Sequence, residues 1–332
     1  MKAFEFDDHL VTTYERFSRS FTVVRSDDLH EEIDAQYDAG RFWPDALLSL
    51  NPRYRGGPNV DALVASGDLD EGTGEVFRFG DTPLRFYQHQ AEAIAKARGG
   101  KSYVVTTGTG SGKSLCFFVP VVDAIIRALR AGRPRKTRAV IIYPMNALAN
   151  SQLKEIDKFI SQSGLPDRLK PVVKRYTGQE SQEERQKIAA NPPDILLTNY
   201  MMAELLLTRQ DPLDAQVIEN AKDLEFIILD ELHTYRGRQG ADVAVLVRRL
   251  RDRCAPEKSP VCIGTSATMA SEGSDESRAV AVAKVASRLF GADIGPDAVI
   301  DESLQRATDD SIDLEKAKSG LFEVLSKPLP PD

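Results

Sequence analysis

The sequence predicts an α/β protein in which helices cover both faces of a parallel sheet. Short segments that are apolar almost throughout alternate with longer segments whose apolar residues recur at helical spacing. Strands of this uniformly apolar kind are typical of a parallel sheet that is buried on both faces. The predicted strands are 102–106, 139–143, 171–176, 194–198, 225–229 and 261–265, and the predicted helices between them are 113–129, 146–160, 182–189, 200–207, 239–253 and 277–289.

The region before this alternation, residues 1–80, is predicted to be a small and mostly helical accessory region. Residues 8–21 and 29–37 carry apolar side chains at helical spacing. We expect the sheet domain to span residues 81–292. Residues 293–332 lose periodicity and end in PLPPD, which indicates a linker. Pro120 falls inside the first helix of the sheet domain and is expected to kink it or open it locally.

Composition argues against a membrane-spanning protein or a cysteine- and histidine-based metal protein, and it leaves nucleic-acid binding open. A chain of 332 residues can hold a real core and about two domains. The net charge of −7 gives no global reason to expect nucleic-acid binding, but a local groove can still be basic. The three cysteines form no C-x-x-C pair and the four histidines are scattered, so no metal site is expected from them. With no signal peptide and no apolar segment of membrane-spanning length, we expect a cytoplasmic protein without a membrane partner.

A phosphate-binding loop is predicted at residues 102–114, SYVVTTGTGSGKS. A buried strand leads into a glycine-rich loop, and a helix begins where the loop ends. Backbone N–H groups and the helix dipole then favour bound phosphate. The alternative is an ordinary glycine-rich turn, because the strict pattern places glycine where this chain has Thr107. The residues predicted to contact the nucleotide are Thr109, Gly110, Ser111, Gly112, Lys113, which reaches the transferred phosphate, and Ser114, whose hydroxyl binds Mg²⁺.

Two acidic residues follow the predicted strand in EFIILDELH, residues 225–233. A phosphate cradle needs a carboxylate for the Mg²⁺ shell, and this role suits Asp230. Hydrolysis needs a group that positions and deprotonates water, and this role suits Glu231. The alternative is a strand that ends in two solvated acids.

Three motifs in order resemble motifs I, II and III of superfamily 2 DExH/DEAD-box helicases. They are GTGSGKS, DELH and the SAT sequence at 266–268. In these helicases the first position of motif I is often not glycine, which agrees with Thr107. The resemblance covers about residues 84–290. The chain looks most similar to large bacterial DEAH-type helicases related to MrfA and RecQ-like enzymes, which act in repair or phage defence.

The resemblance implies a RecA-like P-loop NTPase domain that binds ATP and Mg²⁺. It implies catalytic roles for Lys113, Glu231 and His233. His233 would couple the state of ATP to motif III through Ser266 and Thr268. In the Q-motif-like YQHQ, Gln90 would read the adenine edge, and Tyr87 or the preceding Phe86 would lie near its face. The residues that would contact nucleic acid, in segments similar to motifs Ia and Ib, are Pro144, Asn146, Thr198 and Asn199.

The implied function is an ATP-dependent helicase or translocase acting on DNA in repair or phage defence. The alternatives are an RNA helicase, an ATP-binding module without turnover, and a different P-loop enzyme. No sequence after position 268 resembles the arginine-finger motif of a second RecA-like domain. We therefore expect half of a motor, with the second domain supplied in cis or in trans, and weak hydrolysis by this chain alone. Two arginine-rich stretches, 127–138 and 248–253, could contact phosphates, although solvated faces are the preferred interpretation.

Overall fold

The computed structural model describes residues 3–22, 24–44, 53–108, 110–267 and 275–305, together with residues 313, 316 and 318–320. The described residues belong to two compact units, Met1–Asn51 and Pro52–Asp332. The predicted boundaries at residues 80 and 292 stay predictions.

The first unit contains two helices, α1 (Ala3–Arg19) and α2 (Asp27–Asp38). The Arg19 guanidinium joins them, because it donates to Asp34 and Asp38 at 2.8 and 2.6 Å. None of the side chains described in this unit is fully buried. Both helices were predicted from apolar spacing. Helix α1 begins five residues before the predicted range and ends two residues short of it, and α2 exceeds its predicted range by two residues at the start and one at the end.

The second unit is built on a seven-stranded sheet in which every neighbouring pair is parallel, in the order β11-β5-β10-β9-β6-β8-β7. The predicted fold class, a RecA-like parallel sheet flanked by helices, is confirmed. The sheet strands are β5 (Tyr103–Thr106), β6 (Ala139–Tyr143), β7 (Val173–Arg175), β8 (Ile195–Asn199), β9 (Phe226–Leu229), β10 (Val261–Ser266) and β11 (Val299–Asp301). The two small sheets outside it comprise β1 (Gly56–Asn59), β2 (Arg78–Phe79), β3 (Thr82–Pro83) and β4 (Arg85–Tyr87).

Each of the six helices predicted for the sheet domain is present, with bounds within two residues of those predicted. Helix α10 follows Asp211, which caps it by accepting from the backbone N–H groups of residues 213 and 214. Neither α10 nor the edge strand β11 was predicted from the sequence pattern. The helices are α3 (Val60–Ala65), α4 (Glu71–Val76), α5 (Gln88–Arg98), α6 (Leu115–Arg130), α7 (Asn146–Gln162), α8 (Gln182–Ala190), α9 (Tyr200–Thr208), α10 (Pro212–Glu219), α11 (Gly237–Cys254) and α12 (Asp275–Phe290).

Helix α6 continues through Pro120. Proline has no N–H, so the carbonyl of Cys116, four residues earlier, lacks its helical partner. The buried Tyr103 hydroxyl of β5 donates to that carbonyl at 2.6 Å. A side chain from the sheet thus satisfies the group that proline leaves free, as a buried carbonyl requires.

Parallel strands place their carboxyl ends at one edge of the sheet. The segments that follow β5, β9, β10, β6 and β8 therefore meet there. They contain the predicted phosphate loop, the acidic pair, the first two residues of the SAT sequence and the segments similar to motifs Ia and Ib.

Candidate nucleotide-binding and motor site

The loop after β5 has a backbone shape that requires glycine at two positions. Gly110 and Gly112 have φ angles of +79° and +70°. A Cβ atom added at Gly112 would lie 2.6 Å from Gln90 Nε2, so a larger residue there would have a strained backbone and would displace the Gln90 amide. Turns with left-handed residues orient successive N–H groups into an anion-binding concavity. The shape of the loop therefore fits polyphosphate. Thr109, also predicted to contact the nucleotide, lies outside the described residues.

Two side chains of helix α5 contact the backbone of this loop. His89 Nε2 lies 3.0 Å from the carbonyl oxygen of Ser111, and Gln90 Nε2 donates to the carbonyl of Gly112 at 3.0 Å. Within the loop, the hydroxyls of Thr107 and Ser111 are 2.6 Å apart. Thr107 thus contributes a side-chain contact at the position where the strict motif has glycine.

Gln90 is only 2 % exposed. Its Oε1 accepts from the backbone N–H of Tyr87 at 2.8 Å, while Nε2 donates to the loop. Both ends of the amide therefore bond within the fold, so this residue links the start of α5 to the phosphate loop. Contact with an adenine edge stays a prediction. The Tyr87 ring is 36 % exposed and lies 5.3 Å, centroid to centroid, from the ring of Tyr54.

Lys113 lies inside the loop, where its Nζ donates to the carbonyls of Thr107 and Gly108 at 3.0 and 3.4 Å. Ser114 is the N-cap of α6, and its side chain makes no capping bond. An ammonium bonded only to neutral carbonyls can exchange them for a phosphate, since charge-assisted hydrogen bonds are stronger. The loop therefore places a cation and a hydroxyl at the start of one helix.

The acidic pair follows β9. Burial raises the pKa of Asp230 from 3.8 to about 6, against the opposing effects of the Thr265 hydrogen bond and the Lys113 charge, while Glu231 adds to the increase. A buried carboxylate whose ionised form is disfavoured gains from a nearby divalent cation, and carboxylate and hydroxyl oxygens suit Mg²⁺. Asp230 and Ser114 therefore fit the predicted magnesium-binding roles.

Glu231 occupies a strained backbone conformation. Its φ and ψ angles of 54° and 56° place it in the left-handed region, which non-glycine residues rarely adopt. Such a conformation costs on the order of 1–3 kcal/mol and occurs most often at functional sites. The N–H of Glu231 donates to Thr265 Oγ1 at 3.2 Å.

Thr265 bridges both acids, because its hydroxyl also donates to the Asp230 carboxylate. It is buried at the end of β10. Thr265 was not among the predicted site residues, since roles in this segment were predicted only for Ser266 and Thr268. The sequence offered only its place at the end of the predicted strand 261–265, because the pairing of β10 with β9 is seen only in the structure. Thr265 is a positioning residue for the acidic pair.

His233 connects the acidic pair to the following strand. Its Nδ1 lies 3.2 Å from Glu231 Oε2 and 3.2 Å from Ser266 Oγ. One imidazole thus contacts the proposed water-activating carboxylate and the first residue of the SAT sequence. This geometry can transmit a change at Glu231 to β10. Thr268 lies outside the described residues.

The residues predicted to contact nucleic acid lie after β6 and at the end of β8. Asn199 caps α9 by accepting from the N–H of Met202 at 2.7 Å, and its Nδ2 donates to Asn146 Oδ1 at 2.5 Å. This bond ties the N-termini of α7 and α9 together. Thr198 is fully buried, and its hydroxyl donates to the carbonyl of Tyr176. Pro144 and Asn146 are half-buried. Nucleic-acid contact stays a prediction for all four residues.

The two arginine-rich stretches have structural partners. In α11, Arg248 donates to the carbonyl of Arg288, and Arg251 donates to those of Phe290 and Gly291. These arginines therefore complement the C-terminal end of α12, where backbone carbonyls lack helical partners. The ion pairs of residues 127–138 are Arg127–Asp123, Arg130–Asp70, Arg135–Asp194, Lys136–Asp223 and Arg138–Glu225.

A glycine-rich phosphate loop after β5, a lysine at the end of that loop and an acidic pair after β9, all at the same edge of the sheet, define a RecA-like P-loop nucleotide-binding domain. Residues 87–276 match the DEAD/DEAH box helicase family, and the chain belongs to this family.

Several known helicases are similar to this chain. The uncharacterized ATP-dependent helicase YprA of Bacillus subtilis is 36 % identical over 185 residues, which is 55 % of this chain and 23 % of YprA. The ATP-dependent helicase HRQ1 of Saccharomyces cerevisiae is 31 % identical over 176 residues, 51 % of this chain and 15 % of HRQ1. A crystal structure of the DUF1998 helicase MrfA bound to DNA is 28 % identical, with a TM-score of 0.58, over 76 % of this chain and 29 % of that chain.

The chain spans less than a quarter of the length of these two curated relatives. Within the described residues, no helix combines the length and apolar character needed to cross a membrane.

Proposed function

We propose that this chain is the ATP-binding half of a DNA helicase or translocase. The observation that carries the proposal is the convergence of Lys113, Asp230 and Glu231 at one edge of the sheet, with Thr265 holding both acids. Bound MgATP would supply the phosphoanhydride bond whose hydrolysis drives movement. The identities to YprA and HRQ1, both described as ATP-dependent helicases, support this choice among P-loop functions.

The residues of the site have distinct roles in this proposal. Lys113 neutralises charge on the polyphosphate, and Asp230 with Ser114 holds Mg²⁺. Glu231 orients water and accepts its proton at a carboxylate oxygen, and its strained backbone fixes the direction of that side chain. His233 relays the state of Glu231 to Ser266.

The partners in this proposal are a DNA strand and a second RecA-like domain, in cis or in trans. The strand crosses the carboxyl edge over the tied N-termini of α7 and α9, next to Pro144 and Asn146. DNA is preferred to RNA because the MrfA structure is described as bound to DNA. The second domain supplies the arginine finger, which is worth on the order of 10³–10⁵ in rate. The three cysteines are free thiols, which supports a cytoplasmic location.

A charge placed on the proposed path tests the nucleic-acid assignment. Asn146→Asp keeps an oxygen that accepts from Asn199, so the link between the helices survives. It adds one negative charge beside the strand and should weaken binding of single-stranded DNA about tenfold at low salt. Fluorescence anisotropy with DNA and RNA oligonucleotides of one sequence measures the effect and the preference.

Asn191→Asp is the matched control, because Asn191 lies at the end of α8, ahead of β8 and so at the opposite edge of the sheet. It should leave DNA binding unchanged. Equal weakening by both variants, or no DNA binding by the unmodified chain, would overturn the proposed path.

A further inference from the structure

The segment that follows β11 is held by the segment that precedes β1. The N–H of Arg55 donates to the carbonyl of Ser303 at 2.7 Å, and the N–H of Gln305 donates to the carbonyl of Arg53 at 2.6 Å. Tyr54 and Leu304 form an antiparallel bridge between these bonds. We refer to residues 53–55 and 303–305 as the terminal ladder. It joins two stretches that are about 250 positions apart in sequence.

The terminal ladder is linked to the nucleotide site at two points. The N–H of Gln88, the first residue of α5, donates to the carbonyl of Arg55 at 2.9 Å. The N–H of Gly108, in the phosphate loop, donates to Glu302 Oε2 at 2.9 Å. Tyr54 lies against the same point, since a Cβ at Gly108 would be 3.4 Å from its hydroxyl and 3.3 Å from Glu302 Oε2. A carboxylate thus binds the loop that is built for phosphate.

Two groups of opposite charge hold Gly108. Lys113 Nζ donates to its carbonyl at 3.4 Å and to that of Thr107 at 3.0 Å, while Glu302 accepts from its N–H. Polyphosphate in the loop would draw the ammonium away from these neutral carbonyls, because ammonium–phosphate bonds are stronger. It would also repel the Glu302 carboxylate, since like charges within a Debye length disfavour each other. Both contacts that fix Gly108 are therefore sensitive to the same ligand.

We propose that Glu302 is a nucleotide-sensing residue whose contact with Gly108 competes with polyphosphate and is released when a triphosphate binds. This inference rests on the proposed function, because it takes the phosphate loop to be an ATP site. Release of Glu302 frees residues 303–305 from residues 53–55. The state of the nucleotide thereby reaches the backbone that follows the sheet. Glu302 also sets the selectivity of the site, since its charge opposes ATP more than ADP and does not oppose adenosine.

Binding affinities test the charge of Glu302. Glu302→Gln keeps an oxygen that can accept from Gly108 but removes the charge. It should tighten binding of MgATP about three- to tenfold, the range expected for one exposed unit charge near a polyanion. ADP should gain less, and adenosine should be unaffected. Asp297→Asn makes the same change in net charge at the opposite end of β11 and should alter none of the three affinities. Isothermal titration calorimetry on the full chain measures them.

Hydrogen exchange tests the release. The amides of Arg55 and Gln305 are the donors of the terminal ladder, so their protection reports its closure. Saturating MgATP should lower their protection and adenosine should not, whereas Glu302→Ala, which removes the acceptor for the Gly108 N–H, should lower it without nucleotide. Unchanged protection with bound ATP, or equal affinity changes for all three ligands, would overturn this inference and leave the ATP site intact. Failure of the unmodified chain to bind MgATP would overturn the proposed function and this inference with it.

Discussion

Asp230→Asn should stabilise the fold while it damages the magnesium site. Burial raises the pKa of Asp230 to about 6 from the usual 3.8, so near neutral pH the folded state contains a carboxylate that is harder to ionise than in the unfolded chain. The sign follows from proton linkage. Between these two pKa values the native state binds more protons than the unfolded state. The contribution of Asp230 to the unfolding free energy therefore falls as pH rises.

The size of the effect follows from the shift. A difference of about two pKa units at about 1.4 kcal/mol each gives a penalty of about 2–3 kcal/mol above pH 6 and little near pH 4. Asparagine has no charge and keeps an oxygen that can accept from Thr265. The variant should therefore match the unmodified chain near pH 4 and exceed its unfolding free energy by about 2–3 kcal/mol near pH 7.5.

Urea denaturation at several pH values measures this difference. Subtracting the unfolding free energy of the unmodified chain from that of the variant at each pH cancels the contributions of the other titrating groups. MgATP affinity of the same variant should fall, because a neutral amide is a poorer Mg²⁺ ligand than a carboxylate. A stability difference that is independent of pH, or a variant less stable at pH 7.5 than the unmodified chain, would refute the reasoning.

Three further predictions concern single contacts. Tyr103→Phe leaves the buried Cys116 carbonyl unbonded and should lower the unfolding free energy measured by urea denaturation by about 1–3 kcal/mol. The same change in a Pro120→Ala background should cost less, because alanine restores the helical N–H. Equal costs in the two backgrounds would contradict the account of α6. Gln90→Ala removes the brace of the phosphate loop and should weaken ATP and GTP alike in calorimetry; a loss confined to ATP would instead support adenine recognition. Glu231→Gln should leave ATP binding intact. In the presence of a second RecA-like domain it should abolish DNA-stimulated ATP hydrolysis, and retained hydrolysis would exclude Glu231 as the base.

The fold was predictable because its signals are local. Each inner strand is a short run of consecutive apolar residues, and each predicted helix carries apolar residues every three or four positions. These two patterns distinguish strands from helices in the sequence. Strand β11 was missed because Val299–Asp301 is only three residues long and pairs at the sheet edge with β5, a contact made from far away in sequence. Helix α10 was missed because its start depends on the Asp211 cap more than on an apolar stripe.

The chemical roles of Lys113 and the acidic pair stay predictions. The placement of the site was predictable for these residues, because each belongs to a single motif at the end of a strand. It was not predictable where hydrogen bonds join distant segments. Thr265 reaches Asp230 and Glu231 from another strand, and Glu302 reaches Gly108 from beyond the sheet. Such contacts depend on strand order, which the sequence pattern does not specify.

Calorimetric titration of MgATP tests the central claim most directly, with the unmodified chain, Lys113→Ala and Lys101→Ala compared. Lys113 donates into the phosphate loop, whereas the exposed Lys101 precedes β5 at the opposite edge of the sheet. The account predicts one bound nucleotide for the unmodified chain, the same affinity for Lys101→Ala, and at least about a tenfold loss for Lys113→Ala, the cost of one charge-assisted contact. Equal affinity in Lys113→Ala and the unmodified chain would contradict the assignment of residues 102–114 as the nucleotide site.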